Sequence, residues 1–215
     1  MPATLRISVI LFVALLLSAC QSAYYGAWEK LGVHKRDILV DRVEEARESQ
    51  EEGQEQFRSA LEKFQSVVAV DGGELEERYK ALDDEYRASM SAAEEIRERI
   101  EAVDNVARAL FEEWRDELEE YTNQRLKAES ARRLRETEQR YRQLYSAMHD
   151  AEESIDPVLD TLRDHVLYLK HNLNARAIAA LRGEVRSIDA DVERLIASMQ
   201  ASIEEADQFL AQLRD

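Results

Sequence analysis

The residue pattern predicts an all-α protein: an elongated antiparallel coiled-coil bundle of about four long helices behind a cleaved export signal. Three observations carry that expectation. Apolar or small residues recur with alternating four-three spacing along nearly the whole chain after residue 37, as they do in helices that pack through one seam. Six glycines and two prolines in 215 residues leave few chain-breakers for the turns of a sandwich or barrel. Hydrophobic residues at 45% and charged residues at 34% suit amphipathic helices better than a disordered chain.

Residues 1–19 read as a lipoprotein signal peptide. Arg6 supplies the positive start, and an uninterrupted apolar stretch runs from Ile7 to Leu17, too short to span a bilayer. The segment ends Leu17-Ser18-Ala19-Cys20, which looks like a bacterial lipobox. The thiol of Cys20 is the nucleophile that would take a diacylglycerol group, and the small residues before it fit a peptidase cleft. Palmitate-class acyl chains on Cys20 would then tether the mature chain to a membrane. Each buried methylene contributes about 0.8 kcal/mol, so more than one chain is needed for stable anchoring. Gln21 follows the cysteine where aspartate would direct retention in the inner membrane of many Gram-negative bacteria, so the resemblance implies the periplasmic face of the outer membrane.

Residues 20–36 form a juxtamembrane segment with Tyr24, Tyr25 and Trp28, ending in His34, Lys35 and Arg36. Aromatics suit a membrane interface and cations suit anionic head groups, which makes these six a candidate membrane-proximal contact. The same aromatics would equally pack on the end of the bundle.

Residues 37–215 read as one helical-bundle domain with helices at about 37–70, 74–121, 125–171 and 175–213. The first seam runs Leu39, Val43, Ala46, Gln50, Gly53, Phe57, Ala60, Phe64 and Val67. Its two poor seam positions, Gln50 and Gly53, weaken that helix locally and make it the candidate mobile element. Asp71-Gly72-Gly73 stops it. The second seam runs from Leu75 through Leu82, Ala93, Ile96, Ile100, Val103, Ala107, Leu110 and Trp114 to Tyr121. Beyond Tyr121 the heptad phase slips, and Thr122-Asn123-Gln124 reads as a turn with Asn123 as its cap. A single long helix with a stutter is the rival reading. Charge favours the turn: six acids lie between Glu112 and Glu120 and seven bases between Arg125 and Arg142, stretches that a hairpin would set side by side. Pro157 predicts a kink within the third helix, since the seam continues in phase through it. Asn172-Leu173-Asn174 reads as the last turn, and the final seam runs from Ile178 to Leu213.

The composition excludes several functions. A net charge of −16 argues against nucleic acid, whose phosphates need clustered Lys and Arg. No glycine-built phosphate loop is present, so no nucleotide is expected, and there is no nucleophile elbow or paired-histidine zinc motif. His34, His149, His165 and His171 lack metal-ligand spacing and are expected at the surface or in caps. Asp164-His165 is a weak acid-base pair, because helical neighbours point apart. No catalytic residue, cofactor or metal is therefore expected, and the chain is not read as an enzyme. Glu44, Glu45, Glu48, Glu51, Glu52 and Glu55 read as a solvated face or a docking face. Lys170, His171, Asn172, Asn174 and Arg176, at the turn far from the anchor, are a candidate partner contact, with helix capping as the plainer role.

Three runs stand out in this order: Gly32-Val33-His34-Lys35-Arg36-Asp37-Ile38 with Asp41-Arg42-Val43, then Asp71-Gly72-Gly73-Glu74-Leu75, then Lys170 to Ile178. Together they resemble the uncharacterised Gram-negative lipoprotein family catalogued as domain of unknown function 2959. The resemblance covers the mature chain and implies a single helical unit with no known activity. The functional expectation is a non-enzymatic envelope scaffold or adaptor whose partner is an envelope protein, a second copy or the cell wall. The alternative is a periplasmic carrier holding a lipid or hydrophobic small molecule near Trp114, Tyr121, Tyr141 and Tyr145.

Overall fold

A computed structural model describes residues 34–69, 75–172 and 175–214. The expected signal peptide (1–19), Cys20, Tyr24, Tyr25, Trp28, the expected helix stop at 71–73 and Asn174 lie outside the described residues. Five helices follow one another: α1 (Lys35–Ala69), α2 (Leu75–Glu120), α3 (Gln124–Glu153), α4 (Ile155–His171) and α5 (Ala175–Arg214). Because α3 and α4 continue one another, the molecule is a four-rod bundle. In it α1 packs on α2 and α5, while the α3–α4 rod packs on the same two from the other side. The longest rod, 46 residues of α2, spans about 69 Å.

Each helix starts and stops for a local reason. Asn123 takes an extended conformation (φ −86°, ψ 107°), and its side-chain oxygen accepts from the amides of Arg125 at 3.0 Å and Leu126 at 3.3 Å. Two otherwise orphaned donors are satisfied, so α2 ends and the chain reverses there. The continuous-helix alternative is thereby set aside. Tyr121, placed in the second seam by spacing alone, falls past the end of α2 and is 38% exposed. Acidic residues sit in the first turns of α1 (Asp37), α2 (Glu76, Glu77) and α4 (Asp156), where the positive end of the helix dipole favours them.

At Pro157 the third rod is interrupted by one residue. Ser154 keeps helical angles (φ −74°, ψ −13°), yet α3 stops at Glu153 and α4 begins at Ile155. Proline has no amide to donate to the carbonyl four residues earlier, which frees that of Glu153. Ser154 Oγ instead donates to the Asp150 carbonyl at 2.7 Å. The seam survives the break: Met148, Ala151, Ile155, Val158 and Leu162 are all buried on one face.

One core cluster runs the length of the rods, from Ile38 to Leu213. Each buried Leu, Ile or Phe contributes about 1.5–3 kcal/mol relative to exposure, so the seam is the main source of stability. Gln50 and Gly53 are part of it. A Cβ on Gly53 would lie 2.6 Å from Ile96 Cδ1, so this glycine marks a close approach of α1 to α2. Gly183 is different, with open space where its Cβ would be. Gly183→Ala is therefore expected to stabilise the bundle by about 0.5–1 kcal/mol, read as a higher urea midpoint with unchanged slope.

Ion pairs fix the register between rods. Lys35 Nζ meets Glu113 at 2.8 Å, and Arg99 meets Glu45 at 2.9 Å, across α1 and α2. Lys127 meets Glu119 at 3.0 Å across the α2–α3 hairpin. The charge complementarity expected there is only partly used: Arg115 pairs with Glu138 at 2.5 Å, reversing the predicted polarity, and Arg133 pairs with Glu129 within α3. Apart from Lys35, which is turned inward, these side chains are at least partly exposed and each pair contributes little.

Candidate functional site

The two ends of the bundle carry the candidate contacts. At the end where α1 begins, the His34 carbonyl accepts from the amides of Asp37 at 2.9 Å and Ile38 at 3.2 Å, which starts the helix. His34 and Arg36 are exposed. Lys35 is turned inward, its side chain 12% exposed and ion-paired to Glu113. At this same end lies a groove of about 350 Å³. Leu110, Trp114 and Leu213 give it apolar surface, while Arg36, Arg133, Glu113, Glu117, Glu136, Thr137 and Gln212 complete the lining. Trp114 is oriented by its indole N–H, which donates to Ser130 Oγ at 2.9 Å.

At the opposite end, Lys170 and His171 occupy the last turn of α4, where cations are favoured by the helix dipole. Asn172 caps it: the backbone amide donates to the Leu169 carbonyl at 3.1 Å and the side-chain amide to the Tyr168 carbonyl at 3.0 Å. Lys170, His171 and Arg176 are exposed. Sequence reasoning missed two apolar neighbours of this end, Leu167 at 44% exposure and Tyr168 at 40%. Both lie off the heptad seam, and that phase was the available signal.

The six acids of α1 share one side of the helix, with Glu48, Glu51, Glu52 and Glu55 exposed. Glu44 pairs with Arg214 on α5, Glu45 with Arg99 on α2, and Glu48 and Glu51 with Arg47. The four carrier aromatics do not line one cavity. Trp114 borders the groove and Tyr121 is exposed at the hairpin tip. Tyr141 is buried between Phe111 and Phe209, with Tyr145 beside it at 5.9 Å. The Tyr141 hydroxyl donates to Asp104 at 2.8 Å. Burial first, and then that bonded carboxylate, hold the phenol far above its ordinary range, so it stays neutral.

His165 corrects the expectation of a surface or capping histidine. It is 8% exposed, stacked on Phe64 of α1 at 4.8 Å and 17°, with no partner for Nδ1. The seam phase, which puts Leu162, His165 and Leu169 on one face, contained this information. Asp164 points out to solvent, so the two form no acid-base pair. Burial lowers the His165 pKa below its ordinary 6.5, against the opposing pull of Glu184 and Asp164. Below pH 6.5 the unfolded chain takes up a proton that the folded chain refuses. This stability is therefore complete above pH 6.5 and is lost as pH falls toward the depressed folded value. His165→Leu should show a smaller fall in urea stability between pH 8 and pH 5 than the parent chain.

Among the described residues no group of three His, Cys, Asp or Glu is placed to hold a metal, and no helix is long and apolar enough to cross a membrane. Comparison with proteins of curated function finds no match. A family model described as "Protein of unknown function (DUF2959)" matches residues 24–213. That span takes in both candidate ends and every helical rod, and the chain belongs to the DUF2959 family.

Proposed function

We propose that this chain is a non-enzymatic outer-membrane lipoprotein acting as an envelope scaffold or adaptor through protein-protein contacts. One observation carries the reading: its two candidate contact clusters lie toward opposite ends of a bundle whose longest rod is about 69 Å, His34 and Arg36 at the start of α1 and Lys170, His171 and Arg176 at the α4–α5 turn. Acyl chains on Cys20 would fix the first end to the periplasmic leaflet. The second end would then present cations beside Leu167 and Tyr168, a mixture suited to an acidic partner with an apolar contact. Because the basic end belongs to a chain of net charge −16, electrostatics would orient such an encounter.

In-cell photo-crosslinking from positions 34, 48, 168 and 171, with Cys20 intact, tests the reading. A partner captured reproducibly at 168 and 171 but not at 34 is the expected result. Adducts only between copies would redirect it to a self-assembling scaffold, and the absence of adducts at every position would end the adaptor reading.

A second reading, the carrier of a lipid or hydrophobic small molecule, is favoured by the groove, whose volume falls within the usual ligand range. It would centre on Trp114 without the other three aromatics. A defined apolar compound extracted from purified protein and identified by mass spectrometry would support it.

A further inference from the structure

On α2, exposed bases pair with acids one turn away: Lys80 with Glu76 at 2.9 Å, Arg87 with Asp83 at 2.8 Å and Arg108 with Asp104 at 2.6 Å. Such i, i+4 pairs of opposite sign support a solvated helix. Two other helix faces depart from this plan. On α3, Arg125, Arg132, Arg135 and Arg142 are exposed on the side opposite Leu134, Tyr141 and Met148, with Ala128 and Gln139 between them. The stripe is about 26 Å long. Among the described residues the guanidinium groups of Arg125, Arg135 and Arg142 have no ion-pair partner, and Arg132 reaches one, Glu136, only at 4.0 Å. On α1, Asp37, Asp41, Glu48, Glu52 and Glu55 are exposed on the side opposite Leu39, Val43 and Phe57, over about 27 Å. Of these five, only Glu48 has a basic partner among the described residues, Arg47 at 4.0 Å. Like charges on successive turns repel, so each stripe weakens its own helix. The two cannot neutralise each other within one molecule, because α1 and α3 lie across the bundle from one another, each packed on α2 and α5.

We propose that the arginine stripe of α3 is a docking surface for the acidic face of α1 on a second copy of this chain. Complementarity selects the occupant. The stripes have opposite sign and nearly equal length, and guanidinium forks match carboxylates in paired hydrogen bonds. A flat anionic membrane fits less well. The arginine stripe offers no large apolar side chain to insert, and Glu129, Glu136 and Glu138 flank it, where a broad anionic surface would meet them and a single helix would not. The stripe ends at Arg142, which shares a groove with Asp150, Glu204 and Glu205. In a chain of net charge −16, copies repel except where this stripe faces an acid row, so the stripe fixes how they meet.

The contact joins unlike faces on opposite sides of the molecule. A dimer therefore leaves one face of each kind open, and association runs on into rows. Neither the lipid anchor nor the adaptor reading enters this inference.

The test uses the chain from Gln21, which retains every residue of the core cluster, with a photo-crosslinking residue in place of Gln139. Adducts between copies should map to α1 between Asp41 and Glu55, extend beyond the dimer, and fall several-fold when salt is raised tenfold. Arg132→Glu with Arg135→Glu should abolish them, as should Glu48→Arg with Glu52→Arg when every copy carries it, while circular dichroism stays helical. Mixing the two variants, with the probe only on the first, should restore the adduct, because the reversed stripes complement each other again. No adduct between copies, adducts that map elsewhere or ignore salt and charge reversal, or a mixture that fails to crosslink would each overturn the proposal. Binding to phosphatidylglycerol vesicles that Arg132→Glu with Arg135→Glu removes, without adducts between copies, would overturn it in favour of a membrane surface.

Discussion

Phe64→Ala is expected to cost about 3–5 kcal/mol of stability, because it deletes a fully buried aromatic from a close-packed layer. For a chain of this size that corresponds to a fall of about 6–20 °C in midpoint. Phe64 is not interchangeable with other seam residues. Its ring stacks at 4.8 Å on His165, so it reaches from α1 to a rod that is not its neighbour around the bundle. Truncation removes the apolar face that keeps the imidazole dry. The His165 pKa should therefore return toward 6.5 in the folded state, which an NMR titration of the ring protons would read directly. The two readouts are linked: the variant should be less stable at pH 8 and lose less of what remains on going to pH 5. A cost below about 1 kcal/mol would mean that the layer collapses around the vacancy, contrary to the packing described.

Gln50→Met should do the reverse and stabilise the bundle by about 1–3 kcal/mol. Gln50 is fully buried, and neither its amide nitrogen nor its oxygen has a partner. Burying such a group without compensation is costly, whereas methionine offers a similar unbranched shape with nothing left to satisfy. The surroundings offer little help. Gly53, one turn along α1, lies against Ile96 and Met199. One turn onward from Met199 on antiparallel α5 comes Ser202, whose hydroxyl is likewise buried and unpartnered. Thermal and urea melts of Gln50→Met, alone and with Ser202→Ala, would measure the effect. A lowered midpoint would mean that the amide has a partner in solution, such as a buried water between the two side chains.

These two layers show how much of the molecule was legible in the chain. The heptad seam identified Leu39, Phe57, Phe64, Ile96, Val103 and Leu110 as core because side-chain direction in a helix follows residue number. It also carried Gln50 and Gly53 into the core despite their chemistry, and both are buried. Where residue type was allowed to override phase, the result was poorer. His165 is expected at the surface or in a cap because it lacks metal-ligand spacing, yet Leu162 and Leu169 flank it on the buried face. Tyr121 failed the other way: it had the right phase, but Asn123 ended the helix before phase could apply.

The candidate contacts were legible as local clusters and not as surfaces. Lys35 belonged to a basic run, yet it reaches Glu113, 78 positions away. The groove formed by four helices follows from which rods are adjacent. Local sequence determined the helices, their caps, the break at Pro157 and the apolar stripe on each, because all of these depend on residues within a few turns of one another. The tertiary structure decided which stripes share a layer and that a histidine would sit dry against Phe64. Those outcomes depend on how four rods of unequal length fit side by side, and a periodic seam offers nearly the same burial at several registers until ion pairs and the close approach at Gly53 select one.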